Sequence, residues 1–281
     1  MNIFITKNAG FCFGVKRAIN IAFKAAAEDK NGTYTLGPII HNPQVVQKLA
    51  DEGVKEIEDI NQGNIRSIII RSHGVRPEVY SDIKTKGYRI IDATCPFVKN
   101  AQRHADILKK EGYQVIIIGD KEHPEVKSIL GYAGSKAIVV GSVEALQSVK
   151  LRKKVGIVAQ TTQHYGNVVS IVRECLKTVR ELRVFNTICD STHVRQEATK
   201  ELAKKVDVMI VVGGRCSANT GRLAEIAREI GTETYHIEVP DELREEWFDG
   251  IENVGVTGGA STPDWAINAV IERIKEINKR R

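Results

Sequence analysis

The chain reads as an α/β protein made of three α/β domains of similar size, each with a small, mostly parallel sheet. Three observations carry that reading. Short β-branched runs alternate along the chain with longer stretches of helical period, the pattern of repeated strand-helix-strand units. At 281 residues the chain exceeds one domain of the commonest size. Cys12, Cys95 and Cys189 recur at similar intervals, and each closes a β-run and opens a helical segment. These junctions divide the chain into 14–95, 96–187, and 188–281 together with 1–13. The surrounding texts GFCFGV, ATCPFV and TICDST share little, so the repeat is structural rather than textual.

In chain order, NIFITKNA predicts the first strand and VKRAINIAFKAAAEDK, after Cys12, the first helix. TYTLGPII, SIIIRSHG and YRIIDATC supply strands to the first domain, and YQVIIIGD, KAIVVGS, KVGIVAQT and LRVFNTIC to the second. VDVMIVVGG, ETYHIEV and NVGVTGGAS complete the third. Each is a short run rich in Val and Ile that ends in turn-forming residues. Helical period marks YGNVVSIVRECLKTVREL and TGRLAEIAREIG between them. No Pro/Gly/Ser-rich linker or low-complexity tract interrupts the series.

Hydrophobic residues make up 42% and charged residues 27%, the composition of a globular protein, and no 18-residue apolar run suggests a membrane span. The start MNIFITKNAGFCFG lacks a basic leader and apolar core, so the expectation is a soluble, cytoplasmic protein. In that reducing compartment five cysteines argue for metal binding, catalysis or simple burial rather than disulfides. The formal charge of +6 favours an anionic partner: a phosphorylated substrate, an acidic redox protein or nucleic acid. Basic residues are dispersed, with KEINKRR the one dense cluster, and aromatics are only 6%, which argues against a nucleic-acid stacking platform.

Open parallel sheets bind ligands beyond the carboxyl ends of their strands. Reading those ends gives Cys12, His41, Ser72 with His73, Cys95, His123 with Glu125, Thr161 with Thr162, Cys189, Ser217 with Asn219, and Ser261. Nearly all the reactive side chains thus fall on one edge of the predicted sheets. A cysteine at a helix N-terminus has its thiolate favoured by the dipole and by open backbone N–H groups, as an iron ligand requires. Three could hold a cubane cluster by three corners, although the spacing matches no local ferredoxin motif, and three core thiols fit the same spacing. Cys175, with apolar neighbours at helical spacing, reads as a core thiol, whereas Cys216 in GGRCSANT is a candidate fourth ligand.

His41, His73 and His123, with serine hydroxyls, an asparagine amide and helix N-termini, form a set suited to phosphate oxygens. Zinc is the other use for such histidines, but no His-x-x-x-His or Cys-x-x-Cys spacing supports it. Glu125 follows Pro124 in the first turn of a helix, where it could deliver protons or merely complement the dipole. Neither glycine frame of the familiar nucleotide-binding loops is present.

Taken together, NAGFCFGVKRAI, GPIIHNPQVV, IIRSHGV, DATCPFV, GDKEHPEV, AQTT, NTICDSTHVRQEA, VVGGRCSANTGRL and VTGGASTPDW resemble the 4-hydroxy-3-methylbut-2-enyl diphosphate reductase family of the non-mevalonate isoprenoid pathway, in the family's order and over essentially the whole chain. The resemblance implies three α/β domains around a central [4Fe-4S] cluster held by Cys12, Cys95 and Cys189, with one iron left open to the substrate hydroxyl. In a given preparation the cluster can persist as [4Fe-4S], fall to [3Fe-4S] or be lost. The resemblance further implies a diphosphate site of His41, His73, His123, Ser217, Asn219 and Ser261, with Thr161 near the substrate hydroxyl and Glu125 as proton donor. The implied reaction is reductive dehydroxylation to isopentenyl and dimethylallyl diphosphate, with electrons from a ferredoxin or flavodoxin. Some members carry serine where this chain has Ala218, so one hydroxyl contact is absent here, and Cys216 falls in the substrate loop rather than among the ligands. Two other readings compete: a non-enzymatic iron-sulfur carrier or sensor, and a zinc hydrolase of phosphorylated metabolites.

Overall fold

The computed structural model describes residues 1–29, 32–62 and 64–280. Lys30, the end of the first predicted helix, and Arg281, the last residue of the basic KEINKRR cluster, lie outside the described residues. The chain divides into two compact units, one of Met1–Val15, His41–Val45 and Asp190–Arg281, the other of Lys16–Ile40 and Val46–Cys189.

The second unit carries two four-stranded parallel sheets. One has the order β3-β2-β4-β5, from β2 (Thr33–Leu36), β3 (Lys55–Ile57), β4 (Ser67–Ile70) and β5 (Arg89–Asp92). The other has the order β7-β6-β8-β9, from β6 (Gln114–Ile118), β7 (Ile138–Val140), β8 (Lys154–Ala159) and β9 (Glu181–Val184). The first unit carries the third sheet, β1-β12-β10-β11, from β1 (Asn2–Ile5), β10 (Val208–Val212), β11 (Glu233–Ile237) and β12 (Asn253–Gly258), also parallel throughout. Counted from β2, β6 and β10, every sheet has the order 2-1-3-4. In the third sheet the fourth place is taken by β1, from the other end of the chain.

The central strands explain themselves. Ile68, Ile69 and Ile70, Ile116, Ile117 and Ile118, and Val208 through Val212 are fully buried, because a parallel strand covered on both faces excludes water from every side chain rather than every second one. Each such side chain contributes roughly 1.5–3 kcal/mol on burial. The fourth strands lie at sheet edges and are more exposed, with Phe4 and Ile5 of β1 open to solvent.

Helices α1 (Phe13–Glu28), α4 (Pro96–Lys110) and α8 (Asp190–Ala203) each begin directly after a cysteine that follows a fourth strand. The others are α2 (Pro43–Asp51), α3 (Pro77–Thr85), α5 (Pro124–Ala133), α6 (Val143–Gln147), α7 (Tyr165–Cys175), α9 (Ala218–Glu229) and α10 (Asp264–Lys279). Proline opens α2, α3, α4 and α5, where its missing N–H would have lacked an intrahelical partner in any case. It also drives the preceding residue to extended backbone, as at Cys95 (φ −59°, ψ 134°) and His123 (φ −65°, ψ 134°).

All eleven predicted strands form. The sequence reading missed β3, a three-residue edge strand, KEI, too short and too charged to show a period. The predicted helix YGNVVSIVRECLKTVREL is cut short: α7 ends at Cys175, and the backbone from Glu181 pairs with β8 as β9. Helix α9 begins at Ala218, two residues before the predicted TGRLAEIAREIG, because the Ser217 hydroxyl caps it. Among the described residues no helix is long and apolar enough to cross a membrane.

Candidate active site

In a 2-1-3-4 parallel sheet the strand order reverses at the first strand, so the loops leaving the carboxyl ends of the first and third strands splay apart to make room for a ligand. Each first-strand loop opens with glycine: Gly37, Gly119 and Gly213. Each glycine donates its amide to the last residue of the neighbouring second strand, Ile57 (2.9 Å), Val140 (3.0 Å) and Ile237 (2.9 Å). Four residues beyond the glycine stand His41, His123 and Ser217 in turn. The third-strand loops carry Ser72 and His73, Thr161 and Thr162, and Ala260 and Ser261 at matching places.

The cysteines share a third regularity. The amide of Cys95 donates to the carbonyl of Ser72 (2.9 Å), that of Cys189 to Thr161 (3.0 Å) and that of Cys12 to Ala260 (3.1 Å). Each acceptor is the second residue past the third strand of that cysteine's own sheet. One backbone bond thus seats all three cysteines in the same way.

In the second unit, Glu125 sits in the first turn of α5 and is only 2% exposed. Its two carboxyl oxygens accept from the Thr161 amide (2.6 Å) and the Thr161 hydroxyl (2.9 Å). Burial pushes its pKa up to about 7, against the opposing pull of the two bonds from Thr161. A carboxyl poised there can hold and release a proton near neutral pH. The same backbone turn makes Nδ1 of His123 accept from the Glu125 amide (3.2 Å), which leaves Nε2 as the nitrogen bearing the proton of the neutral ring. The His73 ring meets the His123 ring edge to face, with centroids 5.4 Å apart. Hydrogen bonds from Gln102 to the Ser128 hydroxyl (2.6 Å) and from that hydroxyl to the Val75 carbonyl (3.2 Å) fix the two loops within this unit.

In the first unit, Ser217 caps α9 by accepting from the Thr220 amide (3.3 Å). The Ser261 hydroxyl lies 3.4 Å from that of Ser217 and 3.2 Å from the His41 carbonyl. Asn219, in the first turn of α9, is 5% exposed, yet neither its amide nitrogen nor its oxygen has a hydrogen-bond partner among the described residues. A buried unbonded amide costs about 1–3 kcal/mol and calls for a ligand that satisfies it. Close packing shapes this cradle: a Cβ on Gly214 would stand 2.6 Å from the His41 carbonyl oxygen, and one on Gly259 would stand 1.9 Å from the Thr220 hydroxyl.

Cys12, Cys95 and Cys189 are each partly exposed at a helix N-terminus. The sulfur of Cys12 accepts from the Val15 amide (3.4 Å). Three thiols of this kind fit an iron-sulfur group. Cys175 is buried in the core of the second unit, with its thiol pKa raised by burial, as its helical neighbours predicted. Cys216 is exposed.

Sequence reading missed Thr187, Arg17 and Arg195. Thr187 is buried and bonds both backbone groups of Ala159. Arg17 donates to the carbonyls of Thr94 (3.1 Å) and Asp92 (3.4 Å), just ahead of Cys95. Arg195, also buried, donates to the carbonyls of Asn8 and Gly258 on either side of the Cys12 loop. The available signal was helix α8, whose buried face is polar, with Thr192, Arg195, Gln196 and Thr199 where a core helix would be apolar.

Fold and strand-end chemistry together define an α/β protein with a candidate active site: three 2-1-3-4 parallel sheets, three cysteines on equivalent backbone seats, and a buried carboxyl whose pKa burial pushes up to about 7. A sequence model of the LytB protein family matches residues 3–275. The chain belongs to that family. It is 53% identical to the 4-hydroxy-3-methylbut-2-enyl diphosphate reductase of Pelobacter propionicus, covering all of both chains, and 52% identical to that of Geobacter sulfurreducens, covering 100% of this chain and 99% of that one. A solved structure of (E)-4-hydroxy-3-methyl-but-2-enyl diphosphate reductase, the terminal enzyme of the non-mevalonate pathway, is 46% identical over 98% of this chain and all of the other, with a TM-score of 0.72. The Plasmodium falciparum reductase superposes with a TM-score of 0.92 at 28% identity, over 96% of this chain and 87% of its own.

Proposed function

We propose that this chain is an iron-sulfur oxidoreductase that converts (E)-4-hydroxy-3-methylbut-2-enyl diphosphate to isopentenyl and dimethylallyl diphosphate. The buried Glu125–Thr161 pair is the observation that carries the reading, because this reduction needs a proton source shielded from water. The substrate C–O bond breaks, two electrons and two protons enter, one proton leaves with the hydroxyl as water, and the other ends on an allylic carbon. Glu125 supplies protons, and Thr161 orients its carboxyl and reaches the substrate hydroxyl.

Membership of the family implies an iron-sulfur cofactor. We assign it to a [4Fe-4S] cluster on Cys12, Cys95 and Cys189. When bound, such a cluster passes electrons singly and offers a Lewis-acidic iron. His41, His73, His123, Ser217, Asn219 and Ser261 hold the diphosphate. The buried Asn219 amide and the capped start of α9 support that assignment, since helix N-termini favour anions. We also propose three lobes, 14–95, 96–187 and 188–281 with 1–13, because each range spans one complete 2-1-3-4 sheet. The enzyme acts in the cytoplasm, and the net charge of +6 suits an acidic one-electron donor such as a ferredoxin or flavodoxin.

The test is anaerobic turnover of the hydroxymethylbutenyl diphosphate with a strong one-electron reductant. Product is expected from the parent and a large loss from Glu125→Gln with its iron and sulfide intact. Parent protein with a full cluster and no product overturns the function. Equal rates for the two proteins overturn the role of Glu125.

A further inference from the structure

Thr187 is a buried hydroxyl with an unusual pair of bonds. Its Oγ1 donates to the carbonyl of Ala159 (2.6 Å) and accepts from the amide of the same residue (2.8 Å), and Thr187 is only 4% exposed. Ala159 is the last residue of β8. The β8–β9 ladder ends with the amide of Phe185 donating to Ile157 (2.9 Å), so the next ladder site on β8 is Ala159. In the first sheet that site is filled by backbone, the amide of Ala93 donating to Ile70, the last residue of β4 (3.0 Å). In the second sheet the backbone has turned away and a side-chain hydroxyl takes its place. That turn brings the amide of Cys189, two residues on, to the carbonyl of Thr161.

Thr161 is therefore a junction. Its carbonyl holds Cys189, while its amide and hydroxyl hold Glu125. The residues from Ala159 to Thr161 join the Thr187 anchor to the Glu125 clamp. A slip at one end moves the other.

We propose that Thr187 is a positioning residue that sets Cys189 and Glu125 in register through the end of β8. The inference rests on the assignment of Cys189 as a cluster ligand. Threonine to valine keeps the shape and removes the hydroxyl, leaving both backbone groups of Ala159 without that partner in a buried place. Outer partners of metal ligands typically change metal affinity or activity by about 10- to 100-fold when removed.

The experiment compares parent, Thr187→Val, Thr187→Ser and Cys189→Ser, all purified anaerobically as holoenzyme. It measures iron and sulfide content, the electron paramagnetic resonance spectrum of the reduced cluster, kcat and KM, and amide exchange at Ala159 and Cys189. For Thr187→Val the expected result is faster exchange at both amides, an altered spectrum or iron loss, and a kcat lowered about 10- to 100-fold with KM little changed. Thr187→Ser, which restores the hydroxyl, is expected to return all of these towards the parent. Parent-like spectrum, exchange and kcat in Thr187→Val overturn the proposal, and so does a serine variant no better than valine. Full iron in Cys189→Ser overturns the ligand assignment beneath it, an outcome separable from the other two. If Thr187→Val does not fold, Thr187→Ser decides: its single methyl loss leaves the hydroxyl bonds in place, so a collapse of the spectrum there also overturns the proposal.

Discussion

Thr161 donates both its amide and its hydroxyl to the carboxyl of Glu125, at 2.6 and 2.9 Å, in a place almost closed to water. Two bonds from one residue fix the carboxyl plane, and burial sets its affinity for a proton. The bonds favour the ionised form and burial the neutral one; burial wins, and the pKa settles near 7.

Removing the hydroxyl bond therefore has a defined sign. The Thr161 bonds pull the Glu125 pKa down, so Thr161→Val raises it above the parent value. A general acid works while protonated, and activity falls as pH rises through its pKa. The alkaline limb of the kcat profile is expected to move to higher pH in Thr161→Val, with a lower plateau because the carboxyl is less well aimed. A limb at the parent pH, measured across pH 6–9 (about the range that brackets the shifted group), contradicts the prediction.

Stability follows the same group. The folded-state pKa of Glu125 lies above its ordinary 4.5, so the folded state binds the proton more tightly than the unfolded chain. That term favours folding below 4.5, is lost as pH rises to about 7, and stays lost above it. Glu125→Gln has no such loss. Relative to the parent it should gain stability between pH 5 and pH 8, by up to about 3 kcal/mol at the upper end. Urea denaturation of the cluster-depleted proteins at the two pH values checks this, and a constant difference between them refutes it.

Much of this architecture was legible in the sequence, and the reasons are physical. Strands such as SIII and QVIII announce themselves because a doubly covered strand is apolar at every position. The strand-cysteine-helix junctions were visible because a β-branched run gives way to helical period at each thiol, with Pro96 and Asp190 opening the second and third of those helices, and His123, Glu125 and Ser217 sit at helix starts that local rules identify. The depth of the repeat was not legible. The equivalent places four residues past Gly37, Gly119 and Gly213 hold His, His and Ser, and the bond that seats each cysteine is between backbone groups, which no side chain reports. The reading that joined residues 1–13 to 188–281 anticipated that the third sheet takes its fourth strand, β1, from the opposite end of the chain. Thr187 and Arg195 were hidden for another reason: a buried polar residue becomes visible only when its backbone partners are known.

Four of the five cysteines should separate by environment. Cys175 packs among Ile171, Val168 and Leu146 in the core of its sheet, with a thiol whose pKa burial raises, so it is a poor ligand and a good small hydrophobe. Cys175→Ala should cost roughly 1–2 kcal/mol of stability and leave iron content unchanged. Single Ser substitutions at Cys12, Cys95 or Cys189 should each lose most of the iron. Iron and sulfide analysis of the four variants distinguishes the classes, and iron loss in Cys175→Ala would refute the division.

Asn219 gives the clearest separation of stability from function. Its amide is buried with both polar atoms unsatisfied among the described residues, so in the ligand-free protein it is a liability rather than a support. An apolar side chain of similar volume removes that cost, and Asn219→Leu should leave the ligand-free protein as stable as the parent or more stable, by about 1 kcal/mol. The diphosphate loses a hydrogen-bond partner at the same time. A bond to a charged group contributes about 1.5–3 kcal/mol, so KM for the substrate should rise roughly 10- to 100-fold. Inorganic diphosphate as a competitive inhibitor should weaken in parallel, because it shares that contact and lacks the rest of the substrate. Thermal unfolding without ligand and inhibition by diphosphate are independent measurements. A variant that is destabilised yet binds diphosphate normally would mean that the Asn219 amide serves the fold, and the anion site would then have to be built without it.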